Sequence, residues 1–326
     1  MNKLFLLLLL AGSAAGAQEL PQAYLDNVKK GEAFYREKDF KNSATAYSDA
    51  FRANRWKGRQ DDRYNAACSW ALANVPDSAF FQLKRIVEKM NYSNLRHISN
   101  DTDLNSLHGD KRWEPLLEQI RKNKATTDVD AGYNIALLTE LETILTDDQK
   151  FRAQLDETKE QYGWESKEMK KLLADMDHMD SINEKKVIDI LDKHGWLGAD
   201  VVGQDGNMAL FLVIQHSNIK TMEKYLPMMR EAVKNKKAHG SQLALLEDRV
   251  ALSNHRRQLY GSQIGQDKEG KNFYVLPLED PDNVDKRRAE MGMPPLADYL
   301  KNWNLTWDAA QYKKDLPEIE KKAWVK

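Results

Sequence analysis

The chain has 326 residues, 41% hydrophobic and 30% charged, and its 49 Lys and Arg against 50 Asp and Glu leave a net charge of −1. This is longer than one ordinary domain and has the apolar content of a globular core. It excludes the clustered basic excess of a nucleic-acid binder. Cys68 is the single cysteine, so no disulfide can form within the chain.

The N-terminus predicts an export signal over residues 1–17. Lys3 supplies positive charge, Leu4 to Leu10 form an apolar run too short to span a bilayer, and Ala15-Gly16-Ala17 is a small-x-small cleavage pattern. The mature protein is therefore expected to start near Gln18, to be periplasmic or secreted, and to keep no stable membrane span.

Residues 18–122 carry a helical repeat. Gly31, Phe34, Phe40, Ser43, Tyr47 and Ala50 have the spacing of two closely packed helices, with Lys38-Asp39 at the turn. Ala67, Trp70, Ala79, Leu83 and Ile86 repeat the pattern one unit later, with Val75-Pro76-Asp77 as their turn. The region resembles the tetratricopeptide repeat family. A pair of units leaves an apolar end, which Leu104, Leu107, Trp113, Leu116, Leu117 and Ile120 are placed to cover. The resemblance implies a groove for a protein or peptide partner; the same module could instead be a scaffold for the rest of the chain. Cys68, among Ala66, Ala67 and Ala71, reads as a small core residue. Residues 123–132 are polar, without an apolar period, and read as a linker.

Residues 133–302 predict a mainly helical domain. Ile135, Leu138, Leu141, Ile144 and Leu145 form one stripe, which Thr146-Asp147-Asp148-Gln149 is expected to interrupt. Ser181-Ile182-Asn183-Glu184 has the form of a capping box opening a new helix. Asp205-Gly206 predicts a turn before the apolar helix Met208 to Gln215, which ends at His216. Pro227 predicts a kinked or split helix, and Ser241 starts another that carries Asp248 and Arg249. Gln258 to Ile264 alternates polar with apolar, Phe273 to Leu276 is a second strand-like run, and together they predict a small β-hairpin near 258–278. Residues 303–326 read as a charged tail. The acids Asp175, Asp177 and Asp180 beside His178 bracket a Met stripe and face solvent, so no metal is expected. Gly203-Gln204-Asp205-Gly206 lacks the glycines or lysine of a nucleotide loop, so no cofactor is expected.

Over about Leu145 to Leu300 the chain resembles a bacterial family catalogued as domain of unknown function 6624. The resemblance is carried by Asp148-Gln149 with Arg152, His194-Gly195-Trp196, Gly203-Gln204-Asp205-Gly206 and Gln215-His216. It continues through Leu246 with Asp248-Arg249, Gln258 to Gln263, Glu279-Asp280-Pro281 and Arg287-Arg288. Leu197 departs from it, where the family has Pro. No activity is implied.

Gln149, His216, Asp248, Arg249, Gln258, Tyr260 and Gln263 can all hydrogen-bond. Two readings stay open. They form a structural network docking the hairpin, or they line a pocket in which Gln149, Arg249, Gln258 and Gln263 bind a ligand. The overall expectation is an exported protein- or ligand-binding module. The alternative is a hydrolase-like enzyme with His216, Asp248 and Tyr260 as its catalytic candidates.

Overall fold

The computed structural model describes residues 19–267 and 272–324. The export signal and the hairpin turn around Gly270 lie outside the described residues. The chain divides after Thr127 into two compact units.

The first unit is a stack of helical hairpins. α1 (Gln22–Arg36) pairs with α2 (Phe40–Ala53), and α3 (Gln60–Leu72) with α4 (Pro76–Lys89). α5 (Leu95–Asn100) and a 3-10 turn (Thr102–Leu107) then lead to α6 (Trp113–Asp130). The small residues act as the spacing requires. Ser43 Oγ donates to Gly31 O at 2.8 Å, and a Cβ on Gly31 would lie 2.9 Å from the Tyr47 ring. Any side chain there must push the two helices apart. Lys38 takes the left-handed turn at φ 60°, and Asp39 caps α2 by accepting from Asn42 N–H. Leu104, Leu107, Trp113, Leu116, Leu117 and Ile120 are buried against α3 and α4 and close the apolar end. The polar segment read as a linker is helical instead: α6 continues to Asp130. It buries nothing beyond Asn123, which is why no apolar period marked it.

Two tyrosines of this unit give a pH prediction. Burial raises both Tyr24 and Tyr47 to about 12 from the ordinary 10.0, and for Tyr24 a hydrogen bond to Asp62 adds to the effect. A folded value above the unfolded one means stability that is complete below pH 10 and lost as pH rises towards 12, roughly 2–3 kcal/mol per tyrosine. Phenolate absorbance and helical ellipticity should therefore change together in that window. Full ionisation before any loss of helix would overturn this.

The second unit is a helix bundle with an appendage. α7 (Ile135–Arg152), α8 (Leu155–Tyr162), α9 (Lys167–His194), α10 (Ala199–His216), α11 (Ile219–Lys234) and α12 (Gly240–Ser253) make the bundle. Its core holds Leu141, Ile144, Val187, Leu191, Leu210, Ile214, Tyr225 and Leu246. The appendage contains β1 (Ile264–Gln266), β2 (Phe273–Val275), α13 (Val284–Glu290), α14 (Leu296–Leu300) and α15 (Ala309–Trp324). β1 and β2 are antiparallel, with Ile264 opposite Val275.

Several local expectations change here. α7 runs through Thr146 to Gln149 without interruption, because Thr146 turns its hydroxyl back to Glu142 O. Ser181 likewise bonds Asp177 O, so the capping-box residues sit inside the continuous α9. In α10 the break falls at Val202 and Gly203 (φ 65°), and Asp205-Gly206 is helical. α11 continues through Pro227 as one helix. The first strand is shorter than the alternation suggested, and Gln258 to Gln263 is an irregular loop with one bridge from Gln258 to Leu278. The stretch read as a tail is, as far as Trp324, no free segment: Tyr312 and Leu316 of α15 are buried with Val275, Leu278 and Leu300. Tyr312 Oη accepts from Leu278 N–H at 2.8 Å and donates to Leu276 O at 2.9 Å.

Candidate functional site

The candidate residues of the second unit fall into two hydrogen-bonded groups. The first lies at the C-terminal ends of α7 and α10. Helical spacing puts Asp148, Gln149 and Arg152 on the last turns of α7, and His216 is the last residue of α10. Asp148 is buried and collects three donors. His216 Nδ1 stands 2.9 Å from its Oδ1, Gln149 Nε2 donates to its Oδ2 at 2.7 Å, and Arg152 Nη1 approaches Oδ1 at 3.3 Å. Arg152 also forks onto Asp180 of α9, at 2.9 and 2.6 Å. Burial works to raise the Asp148 carboxyl; the His216 bond and the His216 and Arg152 charges outweigh it and hold it below the usual carboxylate range. Because an ionised carboxylate only accepts, Nδ1 carries the proton and Nε2 of the partly exposed imidazole is left to other partners.

The second group sews the appendage to the bundle. Asp248, fully buried on α12, accepts from the backbone N–H of Leu259 (2.7 Å), Tyr260 (3.0 Å) and Ser262 (2.9 Å). Burial pushes its carboxyl up, against the downward pull of those amides. Arg288, also fully buried, grips the same loop from the carbonyl side, donating to Tyr260 O and Pro294 O at 2.7 Å each, with its guanidinium over the Tyr299 ring. Gln258 imitates a strand: its Nε2 donates to Gln263 O and Leu276 O, and its Oε1 accepts from Gln263 N–H. Gln263 Nε2 turns to Ser262 Oγ, and Tyr260 Oη donates to Glu247 at 3.1 Å. The structure thus joins His216 to Asp148 and engages Asp248, Gln258, Tyr260 and Gln263 in docking the loop. Arg249 belongs to neither group: among the described residues it has no hydrogen-bond or ion-pair partner, and its Nε is sealed from solvent. Asp148 and Arg288 were not singled out as site residues by the sequence, although both stand in the motifs that carried the family resemblance.

The first unit holds a cleft of about 330 Å³. Tyr35 of α1, Tyr64 and Cys68 of α3, and Asp101 and Asp103 beyond α5 line it, with Glu32 and Arg36 at its exposed edge. Tyr35 Oη donates to Asp103 at 2.5 Å, Tyr64 Oη to Asp101 at 2.9 Å, and Tyr64 stacks on His97 at 4.5 Å. Cys68 Sγ is 3.6 Å from Asp101, and ligand atoms of Cys68, Asp101 and Asp103 all lie within 4.8 Å of one another. Burial, then the two acids, push the Cys68 thiol up, which keeps it protonated and unreactive.

Fold and network define the second unit as a helix-bundle domain with a loop-and-hairpin appendage, preceded in sequence by stacked helical hairpins. The chain belongs to the family of unknown function DUF6624, whose model matches residues 136–313, more than half its length. The match begins one residue into α7 and ends inside α15, so it takes in both polar groups. No curated protein and no solved structure matches the chain. No helix among the described residues is long and apolar enough to cross a membrane.

Proposed function

We propose that this is an exported binding protein whose first unit, built of tetratricopeptide-like hairpins, holds a basic segment of a partner protein. The cleft beside α1 and α3 carries the reading. Its acids Glu32, Asp101 and Asp103 outnumber the one guanidinium, Arg36, and the partly exposed ring of Tyr35 can meet a Lys or Arg side chain, Tyr64 being buried and stacked on Tyr92 and His97. Export is supported by the Lys3, Leu4 to Leu10 and Ala15-Gly16-Ala17 pattern. The repeat resemblance is supported by the Gly31–Tyr47 and Ser43–Gly31 approaches. The test is selection from a randomised short-peptide library on the full chain. Selected peptides should be rich in Lys and Arg, and Glu32→Lys, a change at an exposed edge, should weaken them about tenfold at low salt. Selection without basic enrichment would count against the proposal.

The hydrolase-like alternative draws on the His216–Asp148 pair, an imidazole oriented by a carboxylate as a general base requires. His216→Ala separates the readings, because peptide selection by the first unit should survive it unchanged.

A further inference from the structure

The second unit holds a charge that nothing in the protein answers. Arg249 is partly buried on α12, its Nε is enclosed without a partner, and it forms no hydrogen bond or ion pair among the described residues. Its terminal nitrogens are not sealed and remain open to solvent. The other arginines of the bundle and its appendage are engaged or stand in open solvent: Arg152 is held by Asp180 and Asp148, Arg230 by Glu247, Arg257 by Glu320, Arg287 by Asp280, and Arg288 by two carbonyls, while Arg256 is exposed. The charged group that acts on Arg249 is Arg152, of the same sign, and burial together with that repulsion lowers its proton affinity.

Register shows where this guanidinium sits. Gln242 Nε2 of α12 meets Met208 Sδ of α10 at 3.3 Å, and His239 lies 3.5 Å from Gln204, so the two helices run side by side in the same direction. Two turns further along each helix come Arg249 and Gln215. Gln215 is buried and its Oε1 has no partner. His216 follows it, with Nδ1 committed to Asp148 and Nε2 free. By register, Arg249, Gln215 and His216 therefore lie at the level where Arg152 ends α7; the Gln215 Oε1 and the His216 Nε2 lone pair are acceptors, so the donors open to an anion here are those of Arg249. The C-terminal helix dipoles at this end favour cations, but their effect is small beside the cost of desolvating an unpaired guanidinium.

We infer that this end of the bundle is a binding site for a small oxyanion, a carboxylate or phosphate group, with Arg249 as its counter-charge and His216 beside it. Arginine suits the task because its fork presents two parallel donors and never loses its charge at ordinary pH. The sealed Nε closes the side-on approach, so the anion meets the two terminal nitrogens end-on.

The experiment is thermal unfolding of the full chain at constant ionic strength, with inorganic phosphate or sodium acetate added. Saturable binding should raise the transition of the second unit by about 4–7 °C when the anion exceeds its Kd about twentyfold. Arg249→Met should abolish that rise and should itself be more stable than the wild type without anion, because it removes an unpaired charge. Arg249→Lys keeps the charge, loses the fork, and should bind at least about tenfold more weakly. A rise with phosphate alone assigns a phosphorylated ligand, and a rise with acetate alone assigns a carboxylate; either supports the site. No rise with either anion, the same rise in Arg249→Met, or an Arg249→Met protein less stable than wild type would overturn it.

Discussion

Asp248→Ala is expected to release the loop and hairpin from the bundle and to destabilise the second unit by about 3–5 kcal/mol. The carboxylate takes the amides of Leu259, Tyr260 and Ser262. Leu259 is exposed, so its N–H can find water, whereas Ser262 is buried and Tyr260 half-buried, and their donors would be left unsatisfied. The loop is also held from its other side, since Arg288 donates to the carbonyl of the same Tyr260 whose N–H Asp248 accepts. An anion and a cation are thus coupled through one residue's backbone. Arg288→Met should cost less alone, because it leaves the Tyr260 and Pro294 carbonyls unsatisfied but removes a guanidinium whose Nη2 already lacks a partner. The double variant should fall short of the sum by about 1–3 kcal/mol, because once the loop has left, the second change has little to break. Urea unfolding of the four proteins and proteolysis near residues 254–263 would measure this. An Asp248→Ala protein within about 1 kcal/mol of wild type, or an additive cycle, would show that the loop is held by its apolar contacts instead.

What the sequence made legible follows from which interactions are periodic. The mainly helical class, the repeat hairpins and the small hairpin near 258–278 were readable because Gly31, Ser43 and Tyr47, or Leu141 and Ile144, recur at spacings that only one packing satisfies. Breaks were misplaced where a polar residue bonds its own helix: Thr146 to Glu142 O and Ser181 to Asp177 O look like caps in one dimension and are back-bonds in three. α15 went unread because Tyr312 and Leu316, its buried pair, are set among charged neighbours. The polar residues were found as a set, but their partners were not. His216 and Asp248 looked like a pair by residue type, yet the partner is Asp148, far from His216 in sequence, which meets it through the packing of α7 on α10. Nothing local distinguishes Asp248, whose partners are backbone amides, from a catalytic acid. Nor does anything local show that Arg249, beside it in sequence, is unpaired.

Asp148→Asn should produce a second large loss, about 3 kcal/mol at neutral pH, and one with a pH signature. The substitution keeps the shape and removes the charge that faces His216, Arg152 and Gln149. The asparagine NH₂ would also confront one of these donors. Arg152 keeps Asp180, so the helix ends stay tied, but with Arg249 near by the remaining charges are predominantly positive. In the wild type the Asp148 carboxyl is held below its usual range, so its contribution is complete above the unfolded value near 3.8 and disappears as pH falls through the folded one. The gap between wild type and Asp148→Asn should therefore be constant from neutral pH to about 4 and close below it. Asp248 behaves in the opposite sense. Its folded value is raised, so its ionised form is the costly one, and acid lowers that cost. Acid should accordingly loosen the Asp148 end of the bundle before the loop held by Asp248. Hydrogen exchange of α7 and of residues 259–262 across that pH range resolves the order, and simultaneous exposure of both, or earlier exposure of the loop, would refute it.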